Sequence, residues 1–109
     1  MTASLTHEAL SKSIGTNFEA EAEPDKFVKL QLAEVSDLKR SERQEDFAIV
    51  LSGPADAFLG QGIRRMRHEE FGQFELFIVP ISQDEHGYRY EAVFNRFREE
   101  TAPSNELQF

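Results

Sequence analysis

The chain has 109 residues, of which 20 are acidic and 12 are basic, and it carries a net charge of −8 and no cysteine. That length fits a single domain, and the absence of cysteine excludes disulfides, thiolate catalysis and cysteine-based zinc sites. Because the acidic balance disfavours contact with phosphate backbones and anionic lipid, we expect no nucleic-acid and no membrane partner.

A short helix and two strands come first. Apolar residues recur at helical spacing before Gly15, which predicts a helix over about residues 6–14, capped by Ser4 or Thr6. The pattern then changes to strict alternation in TNFEAEAE and in KFVKLQLAEV, with a turn at Pro24 between them. Alternation with a period of two predicts two strands, each with one buried face.

Four more strands follow a charged segment. Residues 36–46 are polar and charged throughout, which predicts a mobile loop. The strands beyond it are FAIVLSGP, the segment from Ile63 to His68, QFELFIVPIS and YRYEAVFNRF. Turns separate these strands and no helix connects them. The sequence therefore predicts an all-β domain over residues 1–97, a small antiparallel barrel or roll of about six strands with one N-terminal helix, and a polar tail over 98–109.

The segment QFELFIVPIS is apolar on both faces, which predicts a central strand whose second face is covered by the helix, a loop or a partner subunit. Pro80 has no amide hydrogen for a sheet ladder, so it must lie at an edge or a bulge. The SQDEHG segment that follows predicts a hairpin whose solvated tip is formed by Asp84, Glu85 and His86, with Gly87 in the turn.

The sequence gives little support for a metal site or a catalytic site. A metal site would need the histidines and carboxylates of loops 68–72 and 82–87 to converge. In a meander these loops lie at opposite ends of one strand, roughly 30 Å apart. Ser52 lacks the Gly-x-Ser-x-Gly turn of a nucleophile. We therefore expect no metal, no cofactor and no catalytic residue.

The arginines at positions 64, 65 and 67 form the one concentration of positive charge. In a strand, Arg65 and Arg67 share a face. Two interpretations stay open: a site for an anion or acidic partner, and a ladder of cross-strand salt bridges. Glu91, if buried, would need a partner, for which Arg65, Arg67 and His68 are the candidates.

Several short motifs follow one another along nearly the whole chain: Gly15 with Phe18, Leu32 with Glu34-Val35, Phe47, Gly53-Pro54, Gln61-Gly62, His68 with Gly72, Leu76-Phe77 to Val79-Pro80, and the closing Tyr90 to Asn95. Their order resembles a family of small bacterial domains of unknown function. The chain departs from that pattern at Arg64, where members carry an aromatic residue, and at Glu69, where they carry proline. The resemblance implies no catalytic residues. It implies genes that recur near phage-tail-collar-like proteins, and hence an accessory or assembly role.

Two functional hypotheses follow for what we expect to be a cytoplasmic protein. The favoured one is a non-enzymatic module that binds a protein, either another copy of itself or a different chain. Its candidate contacts are Phe58 and Leu59 in loop 54–59 or, alternatively, the second face of QFELFIVPIS. Arg65 and Arg67 are further candidate binding residues. This hypothesis requires Phe58 or Phe77 to be exposed, or to lie in a contact of at least about 1,000 Å².

The alternative hypothesis is a small ligand-binding barrel or enzyme. Its polar groups would be His68, Tyr90 and Glu91, gathered in the mouth of the barrel. It requires a concave pocket of roughly 300 Å³ or more lined by those side chains.

Overall fold

A computed structural model describes residues 5–97, so the polar tail predicted over 98–109 lies outside the described residues. The elements in chain order are α1 (His7–Ser11), β1 (Asn17–Glu23), β2 (Lys26–Val35), β3 (Lys39–Arg40), β4 (Gln44–Gly53), β5 (Gly62–His68), β6 (Gly72–Asp84) and β7 (Gly87–Phe97). Six strands close an antiparallel barrel in the order β1-β2-β4-β7-β6-β5, and β3 is an extra strand beside β4. The prediction of an all-β antiparallel barrel is confirmed.

The helix is shorter than its apolar spacing predicted. Thr6 is the N-cap, as one of the two candidates, and its hydroxyl accepts a hydrogen bond from the Ala9 amide at 3.1 Å. The helix ends at Ser11 rather than at residue 14. The chain then turns through Gly15, which has a φ of 95° and donates its amide to the Leu32 carbonyl of β2. Docking against β2 therefore ends the helix early.

The predicted mobile loop over residues 36–46 is wrong. It contains β3, which pairs with β4 in the register Lys39 to Asp46 and Arg40 to Glu45. Opposite charges thus face each other across the two strands, and Arg40 Nε lies 3.2 Å from a Glu45 carboxylate oxygen. The dense charge that indicated disorder is instead complementary charge on a short hairpin.

The meander and hairpin predicted for the last three strands are confirmed. Strands β5, β6 and β7 are consecutive neighbours, and β6 carries a register shift between Pro80 and Ser82, as expected for proline in a ladder. At the tip, one carboxylate oxygen of Asp84 accepts hydrogen bonds from the amides of His86 at 2.8 Å and Gly87 at 3.2 Å. The tip side chains are exposed.

The inward faces of the barrel strands fill its interior. Burying each large apolar side chain contributes roughly 1.5–3 kcal/mol. The largest fully buried side chains are Tyr90, Phe18, Leu10, Leu30, Leu32, Ile49, Leu51, Leu59, Met66 and Ile78. Leu10 comes from α1 and Leu59 from the segment before β5, so elements outside the sheet also contribute to the core. None of the helical residues described here forms a segment long and apolar enough to cross a bilayer.

Candidate functional site

In the segment between β4 and β5, residues 54–61, one aromatic side chain is exposed and the residue that follows it is buried. Phe58 is 57% exposed, whereas Leu59 is 1% exposed and belongs to the core. The Leu59 amide donates to the Tyr90 hydroxyl at 3.0 Å, and the Phe58 ring lies 5.0 Å from that of Tyr88. The exposure that the binding hypothesis required of Phe58 is therefore observed. Leu59, expected beside it as a contact residue, is instead the anchor of the segment.

Tyr90 is a core residue, not part of a barrel mouth. It faces inward on β7 and is fully buried. Burial raises the pKa of its phenol, and the hydrogen bond from the Leu59 amide opposes that rise. Its hydroxyl serves as the acceptor that fixes the segment 54–61.

Arg64 is a second anchor for the same segment, and sequence reasoning missed this role. It lies on the inward face of β5, and its guanidinium donates to the carbonyls of Gly60 at 3.0 Å and Ala22 at 3.4 Å. Its Nε is buried and has no hydrogen-bond partner among residues 5–97. The available signal was register: Arg64 shares the face of Met66 and His68, so it had to point inward, apart from the other two arginines.

His68 is buried at the opposite end of β5, with both ring nitrogens hydrogen-bonded. Its Nδ1 accepts from the Glu70 amide at 3.0 Å, which requires the neutral ring with hydrogen on Nε2. That Nε2 lies 2.9 Å from the Thr16 hydroxyl, which itself donates to the Ser13 carbonyl at 2.7 Å. Burial lowers the pKa of His68, and Glu70 and Glu69 oppose that shift. The ring joins the turn after α1 to the β5–β6 hairpin.

Arg65 and Arg67 belong to a salt-bridge ladder on the outside of the barrel. Arg67 pairs with Glu19 on β1, and Arg65 Nη1 lies 3.9 Å from a Glu21 carboxylate oxygen on the same strand. The Arg67 guanidinium also lies over the Phe27 ring, 3.8 Å from its centroid. The salt-bridge interpretation is therefore the one observed in the structure, although its partners are on β1 rather than on the strand that carries Glu91.

Glu91 points away from the barrel interior, whereas the adjacent Tyr90 points into it. The two side chains therefore cannot line the same mouth of the barrel. Its register partners on the two neighbouring strands are Val50 and Val79, and it is half-buried between them. None of its expected partners reaches it. Within the described part of the chain, no ion pair or hydrogen bond involves the Glu91 side chain.

The surface around Glu91 is apolar. We call the outward side chains of β5, β6 and β7 in this region the outer apolar face: Ile63 (68% exposed), Phe77 (50%), Val79, Ile81 (47%) and Val93 (60%). Ile63 and Phe77 are a cross-strand pair. The second face of β6 was expected to be covered. Residues 5–97 of the same chain leave it open, so any cover would have to come from elsewhere.

Two shallow grooves lie on the barrel, and they share Asn17 and Lys29. One, of about 550 Å³, is lined by His68 together with Glu19, Arg67, Glu69, Gly72 and Gln73. The other, of about 620 Å³, lies under the β6–β7 hairpin tip and includes His86 and Arg89. Neither groove is lined by Tyr90 or Glu91. The three polar residues of the ligand-barrel hypothesis are therefore not brought together, and among residues 5–97 no three metal-ligating side chains converge.

These features define a class: a small closed antiparallel barrel whose polar inward groups stabilise its own structure and most of whose exposed large apolar side chains lie on one segment and one outer face. A family pattern matches residues 5–94, and the chain therefore belongs to the family DUF6916, a domain of unknown function. No curated protein and no solved structure matches the chain.

Proposed function

We propose that this protein is a non-enzymatic module that binds another protein in an accessory or assembly role, with Phe58 at the centre of the contact. The observation that carries this proposal is an exposed aromatic ring on an anchored segment. Phe58 lies next to the buried Leu59, whose amide is held by Tyr90. Phenylalanine is among the aromatic residues enriched in the buried centre of protein–protein interfaces.

The anchoring matters because binding is weakened by the entropy lost when a loop becomes ordered. Here that ordering is already present in the free chain. The Tyr90 hydroxyl holds the Leu59 amide, the Arg64 guanidinium holds the Gly60 carbonyl, and the Tyr88 ring supports Phe58. A partner can therefore receive the Phe58 ring with little further ordering of residues 54–61.

The same contacts count against an enzyme or ligand barrel. A general acid or base needs a nitrogen or oxygen that can reach substrate. Both ring nitrogens of His68 are occupied by Glu70 and Thr16, and the Tyr90 hydroxyl is occupied by Leu59. The groove beside His68 is shallow and is lined mostly by residues with polar side chains, and we assign it no ligand.

The assembly role and the location complete the proposal. The assembly role rests on the gene neighbourhood that the family resemblance implies, close to phage-tail-collar-like proteins. We place the module in the cytoplasm, in keeping with the expectation from sequence. Its partner on this account is a protein rather than a nucleic acid or a membrane.

Affinity capture from the native cell tests the proposal with three baits: the wild-type protein, Phe58→Ser and Ile14→Ser. Ile14 is a matched control because it is an exposed apolar residue on the turn after α1. We expect one identified protein to be recovered by wild type and by Ile14→Ser and lost with Phe58→Ser. Recovery of the same proteins by all three baits would contradict the proposal.

A further inference from the structure

The outer apolar face is concentrated on one side of the barrel. Of the six most exposed large apolar side chains in the described residues, four lie on it, and they come from three adjacent strands: Ile63, Phe77, Ile81 and Val93. The adjoining outer surface of β1 and β5 is different, because it carries the ladder of Arg65 and Arg67 with Glu21 and Glu19. Contiguous exposed apolar surface of this kind marks an interaction site.

One carboxylate interrupts the apolar face. Glu91 is half-buried between Val50 and Val79, and none of the side chains described in residues 5–95 forms an ion pair with it. Two other outward carboxylates of the barrel do have cations: Glu19, which is half-buried like Glu91, pairs with Arg67, and the exposed Glu34 pairs with Arg89 at 3.1 Å. Glu91 therefore differs from these two in being left without an ion pair.

A partner that covers this face must satisfy that charge. A buried carboxylate without a hydrogen-bonding or charged partner is strongly unfavourable, whereas a lysine or arginine placed on it forms a charge-assisted hydrogen bond. The nearest arginine along β7 is Arg89. Its Nη1 lies 3.1 Å from a carboxylate oxygen of Glu34, so Arg89 is already paired with Glu34. None of the described side chains supplies a cation to Glu91, so on this account the cation comes from the partner.

A second copy of this chain is a poor occupant. Two-fold packing of the face on itself would bring two unpaired Glu91 side chains into one interface. It would also bring together two chains that each carry a net charge of −8. Like charges placed together in an interface are strongly unfavourable. Charge complementarity thus favours a different protein with local positive charge.

We propose that the outer apolar face binds a segment of another protein in which a lysine or arginine is flanked by apolar side chains. The cation pairs with Glu91, and the flanking groups cover Phe77 and Val93. This site is separate from Phe58 on residues 54–61. This inference rests on the proposed function only because both sites are contacts with protein. Substitutions at Glu91 and at Phe58 can therefore abolish binding independently of each other.

A displayed library of random twelve-residue peptides, selected on the immobilised full-length protein, tests the inference. We expect the enriched peptides to contain lysine or arginine between apolar residues. Titration of the synthesised peptides should show affinity reduced about tenfold or more by Glu91→Gln. Val93→Thr should also weaken binding, while Glu75→Gln, a change on the outward face of β6 beside Arg65, should leave it within about twofold of wild type.

Several outcomes would overturn the inference. They are enriched peptides without a basic residue, equal affinity for wild type and Glu91→Gln, and no peptide binding at about 1 mM protein. Binding lost with Phe58→Ser but kept with Glu91→Gln would also overturn it, while leaving the proposed function intact. Light scattering that shows a dimer, abolished by Phe77→Ser, would identify a second copy as the occupant instead. Thermal unfolding of each variant shows that it is folded.

Discussion

The Nε2 of His68 lies 2.9 Å from the hydroxyl of Thr16, a residue 52 positions earlier in the chain. Because the Glu70 amide donates to the other ring nitrogen, the His68 ring is the donor in this contact. The two hydrogen bonds hold the neutral ring between the turn after α1 and the β5–β6 hairpin. This histidine is a structural link, and its titration is therefore linked to folding.

Acidification is expected to destabilise the protein through His68. Burial lowers the pKa of His68 in the folded protein, whereas the same side chain in the unfolded chain has a pKa of about 6.5. The unfolded state therefore binds the proton first, and stability present above about pH 6.5 is lost as the pH falls towards the folded-state pKa. Urea unfolding between about pH 7.5 and pH 5 measures the loss.

The control for this pH dependence is a pair of variants. His68→Gln should be less stable at neutral pH but should show a shallower decline on acidification. His86→Gln, at the exposed hairpin tip, should retain the wild-type decline. A wild-type slope in His68→Gln would show that another group is responsible.

Tyr90→Phe should loosen the segment that carries Phe58. It removes the acceptor of the Leu59 amide in a buried setting, which costs roughly 1–3 kcal/mol. We expect faster hydrogen exchange at the Leu59 amide and a lower unfolding temperature. Tyr88→Phe is the matched control, because the Tyr88 hydroxyl makes only a 3.5 Å contact with Gln83. Equal exchange at Leu59 in both variants would contradict the anchoring role of Tyr90.

The strand faces were predictable from the sequence, but the contacts between distant strands were not. Alternation along YRYEAVFN places Tyr90 and Glu91 on opposite faces, and the structure agrees. Alternation also places Arg65 and Arg67 on one face. Their partners on β1 could not be derived, because β1 and β5 are neighbours only through closure of the barrel.

The anchoring of the segment 54–61 was also out of reach from sequence. Leu59 and Tyr90 are 31 residues apart, and their hydrogen bond depends on the path of a segment without periodic pattern. Phe58 and Leu59 look equivalent as adjacent apolar residues in such a segment. Only the structure shows that Phe58 is exposed and that Leu59 is the buried anchor of the segment.

Gly87→Ala should destabilise the β6–β7 hairpin by steric conflict. Gly87 has a φ of 145°, and a Cβ there would lie 2.0 Å from the Gly53 carbonyl oxygen. Gly62→Ala is the control, because Gly62 has a φ of 153° but no atom within 4 Å of its added Cβ. We expect Gly87→Ala to lower the unfolding midpoint more than Gly62→Ala does. An equal decrease in the unfolding midpoint would mean that backbone strain, and not the contact with Gly53, causes the loss of stability in both variants.

Arg67→Ala should have a small effect on stability. The side chains of Arg67 and Glu19 are 46% and 39% exposed, and ion pairs open to solvent contribute about 0–1 kcal/mol, even less at high salt. A double-mutant cycle with Glu19→Ala, followed by urea unfolding at low and high salt, measures the coupling. A coupling free energy between Arg67 and Glu19 that is well above that range and does not change with salt would show that the pair does more than form an exposed salt bridge.

The most direct test of the proposed function is the dissociation constant of the purified partner recovered by affinity capture. Wild type and Ile14→Ser should bind it equally, and Phe58→Ser should bind at least about tenfold more weakly while unfolding at the same temperature as wild type. Equal dissociation constants for all three proteins would contradict the assignment of Phe58 as the centre of the contact.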